Sequence, residues 1–212
     1  MSVVGLVLAA GSGTRFGTGQ NKLLARWRGR SLIEHVLATV VSARTEGLLG
    51  PIVVVHSPAA PEVGAFATEA ECDAVMVTRE RPAIAESIKA GFVALEAVHD
   101  LRGVTAALLI LGDQPRLSVD AIRALVNRGA GSPLVLARPR YAAAPETPGH
   151  PVLLGRSHWP LVSLTEGDRG LDRIVADRGL QWDRVDLPGD NPDVDTAADL
   201  DALDRDAGPS QA

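Results

Sequence analysis

Apolar and polar positions alternate along the chain in two distinct periods. Val3–Ala9, Pro51–His56 and Thr105–Leu111 are continuous apolar runs of strand length, as expected for strands covered on both faces. Shorter runs at Ala74–Val77, Pro133–Ala137, Pro151–Leu154 and Trp182–Leu187 add four further strands. Between them the apolar positions move to helical spacing. Leu32, Ile33, Val36, Leu37, Val40 and Val41 define one helix to about Arg44, opened by the capping box Ser31-Leu32-Ile33-Glu34. Further helices are predicted at about 60–70, at 84–98 through Ile84, Ile88, Phe92 and Leu95, and from the cap Ser118 to Arg128. Three more are predicted at 159–164, at 169–178, and from the cap Thr196 to Leu203.

Strands alternating with helices imply a three-layer α/β/α, Rossmann-like fold with a mostly parallel sheet. The 212 residues suit a single domain, read as residues 1–203, followed by a short polar tail at 204–212 expected to fray. The Pro-rich stretch 137–149 lacks periodicity and reads as a long loop near the site. In such sheets ligands bind beyond the carboxyl ends of the strands. The loops after Ala9 and after Leu111 should therefore meet.

Composition narrows the chemistry. Aromatic residues make up only 3% of the chain, so the core must be aliphatic. The net charge of −5 gives no reason to expect a nucleic-acid or membrane partner. Residues 1–33 nevertheless contain no acid and carry Arg15, Lys22, Arg26, Arg28 and Arg30, a segment able to attract a polyanionic small molecule. A single cysteine, Cys72, excludes an intramolecular disulfide and is consistent with a reducing, cytoplasmic setting. No apolar run reaches membrane-spanning length, and no secretory leader is visible.

The loop Leu8-Ala9-Ala10-Gly11-Ser12-Gly13-Thr14-Arg15-Phe16-Gly17, with Lys22, has the parts of a phosphate cradle. Its glycines permit close backbone approach, Arg15 offers a planar fork and Lys22 a point charge. It fails the Walker A spacing. It also fails the dinucleotide Gly-x-Gly-x-x-Gly spacing, because Phe16 stands at the third glycine position. Neither a P-loop ATPase nor a dinucleotide-dependent oxidoreductase is supported.

This loop, with Asn21-Lys22-Leu23-Leu24 and Gly112-Asp113-Gln114-Pro115, resembles the nucleotidyltransferases that include the molybdenum cofactor cytidylyltransferases. Gly149-His150-Pro151-Val152 and Asp193-Val194-Asp195-Thr196 extend the likeness from Val4 to about Leu203. The resemblance implies that Leu8, Ala9, Ala10, Gly11, Ser12, Gly13, Thr14, Arg15, Lys22, Ser87 and Asp113 bind a nucleoside triphosphate. Within that set it makes Arg15, Lys22 and Asp113 catalytic. It implies Mg²⁺, with Mn²⁺ as the alternative, on Asp113 and Asp195, Asp193 being the other candidate. It places Gln114, Gly149, His150 and Pro151 on the acceptor side.

By the same resemblance, Ala9-Ala10-Gly11 leans towards CTP over GTP. The implied acceptor is a phosphorylated compound such as molybdopterin, with a molybdoenzyme or delivery chaperone as a further partner. Two departures are notable: Glu86 where small residues are usual, and Leu171-Asp172 where Ala-Arg is usual. Three alternatives remain: guanylyl transfer, transfer to a sugar phosphate, and a non-catalytic cofactor carrier.

Overall fold

In the computed structural model, residues 2–11, 13, 16, 21–129, 131–168 and 170–206 are described. Strands β1 (Ser2–Ala9), β4 (Ile52–His56), β5 (Asp73–Met76), β6 (Val104–Leu111), β7 (Leu136–Tyr141), β8 (Val152–Gly155) and β9 (Asp183–Leu187) form one sheet in the order β5-β4-β1-β6-β8-β7-β9. β1 pairs in parallel with β4 and β6, and β7 with β9, while β8 runs antiparallel to both its neighbours. The helices are α1 (Leu32–Thr45), α2 (Pro61–Glu69), α3 (Ile84–Val98), α4 (Val119–Gly129), α5 (Gly170–Asp177) and α6 (Ala197–Asp206).

Strand β1 shows why the apolar runs are continuous. Val3, Val7 and Ala9 enter the core beneath α1, α2 and α4, whereas Val4, Leu6 and Ala10 enter the core on the α3 face. Side chains alternate across a strand, so a strand covered on both sides needs apolar residues at every position. Each large aliphatic side chain buried this way contributes roughly 1.5–3 kcal/mol. α3 lies especially close. A Cβ on Gly91 would come within 2.2 Å of Leu6 Cδ1, so glycine sets the helix–sheet distance there.

The expected capping at Ser31 is present: Glu34 Oε2 accepts from the Ser31 backbone N–H at 2.7 Å and from its hydroxyl at 2.6 Å. Ser118 Oγ accepts from Ala121 N–H at 3.1 Å.

One expectation needs correction. The stretch 137–149 is not one loop, because β7 continues through Arg138, Pro139 and Arg140 to Tyr141, paired with β9. β8 reaches only Leu136 and Ala137, so beyond Ala137 the strand keeps a single partner and tolerates a proline that cannot donate. A small hairpin also escapes the hydrophobic pattern. β2 (Arg26–Trp27) and β3 (Arg30–Ser31) are joined by Arg28-Gly29, both at positive φ, the requirement of a type I′ turn. Beyond Leu203, α6 runs on to Asp206, and Asp204 Oδ1 accepts from Trp27 Nε1 at 2.8 Å.

Candidate functional site

The carboxyl ends of β1 and β6 bring the first loop and Asp113 together, as Gly112 N–H donates to Leu8 O at 3.0 Å. Asn21 Oδ1 accepts from Leu23 N–H at 3.0 Å and caps the short 3-10 turn Lys22–Leu24. Asn21 Nδ2 reaches Gly11 O at 3.4 Å, so one side chain fixes Lys22 beside the loop. Gly13 has φ +56°, and a Cβ there would lie 2.7 Å from the Lys22 backbone nitrogen. Only glycine fits that crossing.

The segment after β9 completes the site from the other end of the chain. Val194 N–H donates to Asp113 O at 3.1 Å and positions Asp195. Thr196 and Asp199 form a reciprocal cap, with Asp199 Oδ2 accepting from Thr196 N–H at 2.8 Å and Thr196 Oγ1 from Asp199 N–H at 3.2 Å. Lys22 Nζ stands 2.6 Å from Asp113 Oδ2 and 2.6 Å from Asp195 Oδ1. Burial by itself would lower the Lys22 pKa. The charges and hydrogen bonds of Asp113 and Asp195 outweigh it and hold the ammonium above its usual value. Burial, followed by the charge of Asp113, pushes the Asp193 carboxyl upward, against a 2.6 Å hydrogen bond from Gln114 Nε2.

Asp113 Oδ1 is buried and has no hydrogen-bond partner among the described residues. A buried carboxylate oxygen without a donor suits a cation. Two aspartates also match Mg²⁺ or Mn²⁺, which completes its shell with water and phosphate oxygens. Among the described residues no cluster of three or more His, Cys, Asp or Glu forms a closed metal cage.

A cleft of about 580 Å³ opens over this cluster. Leu8, Ala10, Gly11, Gly13, Lys22, Ser87, Asp113 and Asp195 line it, while Ala9 is buried in the adjoining core. Ser12, Thr14, Arg15 and Gly17 lie outside the described residues. Arg79 and Arg81 also line the cleft, although no sequence pattern marked them. Glu86 is explained locally. It accepts from Arg79 Nη1 at 2.9 Å and reaches back to Ala83 N–H at 3.4 Å, where it caps α3. Asp168 Oδ1 accepts from Ile84 N–H at 3.1 Å and docks the 167–168 turn on the same helix start.

Leu8, Ile84, Leu111 and Asp168 are shared with a second chamber of about 140 Å³ that includes Arg138, His150, Asp172 and Trp182. Because β8 is antiparallel, its beginning lies at the edge where the parallel strands end, and this brings His150 to the site. Of the four residues expected on the acceptor side, His150 alone lines this chamber. Gln114 is buried behind the cleft, its Oε1 accepting from Asn191 Nδ2 at 3.0 Å. Gly149 O accepts from Arg138 Nε at 3.3 Å, and a Gly149 Cβ would strike Pro139 O at 2.5 Å. Pro151 follows His150 through a cis peptide bond.

Tyr141 Oη and Asn191 Nδ2 both donate to His150 O, at 3.1 and 3.4 Å. Burial pushes the Tyr141 phenol up to about 12. Burial, then the Arg138 charge, lowers His150 to about 4, so its imidazole is neutral at pH 7. Asp172, the residue that departs from the resembled motif, accepts from Arg138 Nη1 at 2.9 Å.

The chain is similar to several known proteins. Over 134 residues the chain is 35% identical to bifunctional protein GlmU of Paracidovorax citrulli, covering 62% of this chain and 26% of GlmU. It thus spans about a quarter of that relative's length. It is 29% identical to nicotine blue oxidoreductase of Paenarthrobacter nicotinovorans, covering 96% of this chain and 94% of that one. Among solved structures, Rv0371c of Mycobacterium tuberculosis matches with TM-score 0.75 and 28% identity, over 96% of this chain and 97% of that chain. The manganese complex of Rv0371c matches with TM-score 0.72 and 25% identity, over 96% of this chain and 98% of that chain. The model of the MobA-like NTP transferase domain matches residues 5–185, and the chain belongs to that family of nucleotidyltransferases.

Proposed function

We propose that this protein is a cytoplasmic cytidylyltransferase that transfers CMP from CTP to a phosphorylated acceptor of the molybdopterin type and releases pyrophosphate. The observation that carries the reading is Lys22 held at 2.6 Å by both Asp113 and Asp195, at the strand ends, beneath a cleft large enough for a nucleotide. An acceptor phosphate oxygen attacks the α-phosphorus, the bond from the α-phosphorus to the bridging oxygen breaks, and pyrophosphate leaves with that oxygen. The acceptor phosphate is already ionised, so no strong general base is needed.

Lys22, Arg15 and the loop amides orient the triphosphate and offset its charge. Asp113 and Asp195 would hold Mg²⁺ or Mn²⁺, which supplies charge neutralisation at phosphate oxygens when bound. The manganese complex of Rv0371c supports a divalent cation. The preference for CTP rests on Ala9-Ala10-Gly11. The product would pass to a molybdoenzyme, directly or through a delivery chaperone.

The test is pyrophosphate release by the purified full chain with each of the four NTPs. It is run with molybdopterin cofactor or sugar phosphates as acceptor, and with Mg²⁺, Mn²⁺ or chelator. Release that requires CTP, metal and molybdopterin supports the reading. Release with GTP alone, or with a sugar phosphate alone, moves the assignment within the family, and silence with all NTPs removes it.

A second reading, an oxidoreductase on the same fold, is favoured by the near-complete overlap with nicotine blue oxidoreductase. Oxidation of NADH or NADPH by the same preparation on adding nicotine blue would establish it. Inert reduced cofactors would dismiss it.

A further inference from the structure

The acceptor side holds two hydrogen-bond donors without a partner among the described residues. They are Arg138 Nη2 and Trp182 Nε1, both shielded from solvent. They are brought together by register. β7 and β9 pair in parallel with Ala137 opposite Asp183, and Trp182 immediately precedes β9. The Arg138 guanidinium lies 5.0 Å from the centre of the Trp182 ring.

The arginine is also fixed. It is 94% buried, as only 6% of its surface is exposed. Nε is committed to Gly149 O at 3.3 Å and Nη1 to Asp172 Oδ1 at 2.9 Å. Rotating the guanidinium to satisfy Nη2 would break one of these bonds. An indole N–H only donates, so Trp182 has no alternative role to fall back on. Buried donors are almost always paired, and two unpaired ones on neighbouring side chains mark a place where an outside acceptor belongs.

The surroundings make that place part of the path taken by a ligand. Arg138, Asp172 and Trp182 line the 140 Å³ chamber next to the nucleotide cleft, and they also line an outer groove of about 420 Å³ with Arg140 and Arg184. The two side chains therefore stand between the inner chamber and the outer groove. His150 adds a neutral imidazole, which leaves Arg138 as the cation of the inner chamber among the described residues.

We propose that Arg138 Nη2 and Trp182 Nε1 form an oxyanion-recognising subsite that selects acceptors bearing a phosphate or a carboxylate. A group that accepts at every oxygen and donates at none matches two N–H donors. Describing its ligand as the acceptor rests on the nucleotidyl-transfer reading, whereas the donor pair itself does not.

The test uses the ¹⁵N-labelled full chain and three small probes: inorganic phosphate, malonate and glycerol. The Trp182 indole N–H signal is identified by its loss in Trp182→Phe. It should shift with phosphate or malonate and stay in place with glycerol, and the ion that moves it fixes which oxyanion is read. Arg138→Lys, which keeps the charge and loses the second fork, should weaken that ion's affinity about tenfold or more.

An equal shift with glycerol, no shift with either ion, or unchanged affinity in Arg138→Lys would overturn the proposal. Should Arg138→Lys fail to fold, calorimetric titration of Trp182→Phe with the same ion decides the matter, since phenylalanine keeps an aromatic ring and has no N–H donor: weakened binding supports the subsite and unchanged binding overturns it. CTP with Mg²⁺ is titrated separately on the Gly11 and Gly13 amide signals. No response there sinks nucleotidyl transfer and leaves the oxyanion subsite standing.

Discussion

The two halves of the site are built on opposite principles. On the nucleotide side the central charges are paired: Lys22 holds one oxygen of each of two carboxylates, and each is fixed by backbone bonds at the end of a parallel strand or the start of a helix, while Asp113 Oδ1 stays open among the described residues. On the acceptor side an antiparallel strand has been laid between β6 and β7, and the chamber beside it keeps unmet donors and an uncharged histidine. The first half is organised to exchange one set of charges for another. The second is organised to be completed by its ligand.

That contrast can be tested at both ends, and the largest effect is expected on the nucleotide side. Asp113→Asn keeps the shape of the side chain and removes its charge. Pyrophosphate release should fall by about 10²–10³-fold, with a melting temperature close to that of the parent because Asp195 still partners Lys22. Full activity in this variant would remove Asp113 from the machinery.

The next effect belongs to the acceptor side. His150 has a pKa of about 4 in the folded chain against about 6.5 when unfolded. Between those values the unfolded chain binds the extra proton, so stability is complete above pH 6.5 and is lost as pH falls towards 4. The loss is on the order of 2–3 kcal/mol. Arg138 and Asp172 face the ring, and Tyr141 bonds to its carbonyl. Denaturant midpoints at pH 5 and pH 7.5 measure this loss, and His150→Asn should flatten the difference. An unchanged slope in the variant would place the titration elsewhere.

Gly13→Ala returns to the first half. A positive φ and the contact with the Lys22 backbone predict a loss of about 1–2 kcal/mol in urea denaturation, with weaker CTP binding. Asn191→Ala probes the seam between the halves, because Asn191 links Gln114 to the His150 carbonyl. The expected cost is about 1 kcal/mol, with KM rising for the acceptor and not for the NTP. Equal changes in both KM values would mean that the halves are not separately organised.

The same contrast decides what could be read from sequence. β1, β4 and β6 are legible because strands buried on both faces must be apolar throughout, and the loops at their ends carry Lys22 and Asp113. β7 is hidden because Arg138, Pro139 and Arg140 interrupt its pattern, yet its free side beyond Ala137 accepts them. The hairpin Arg26–Ser31 is masked by three arginines, although Arg28-Gly29 holds the turn signal.

Lys22, Asp113 and Asp195 announce themselves through local wording. Arg138 and Trp182 do not, since their meeting depends on which strand lies beside which. Asn191 is equally silent, because a loop asparagine is ordinary until its two partners are known.

The ammonium of Lys22 joins residues 91 and 173 positions away along the chain. On a ribosome this order has a consequence. Lys22 and Asp113 emerge long before Asp195, so a nascent chain of fewer than 195 residues holds that lysine with half of its counter-charge. The Lys22 cluster is therefore completed only once residue 195 has emerged, and a translation product truncated before it would keep β1 to β9 without the second carboxylate.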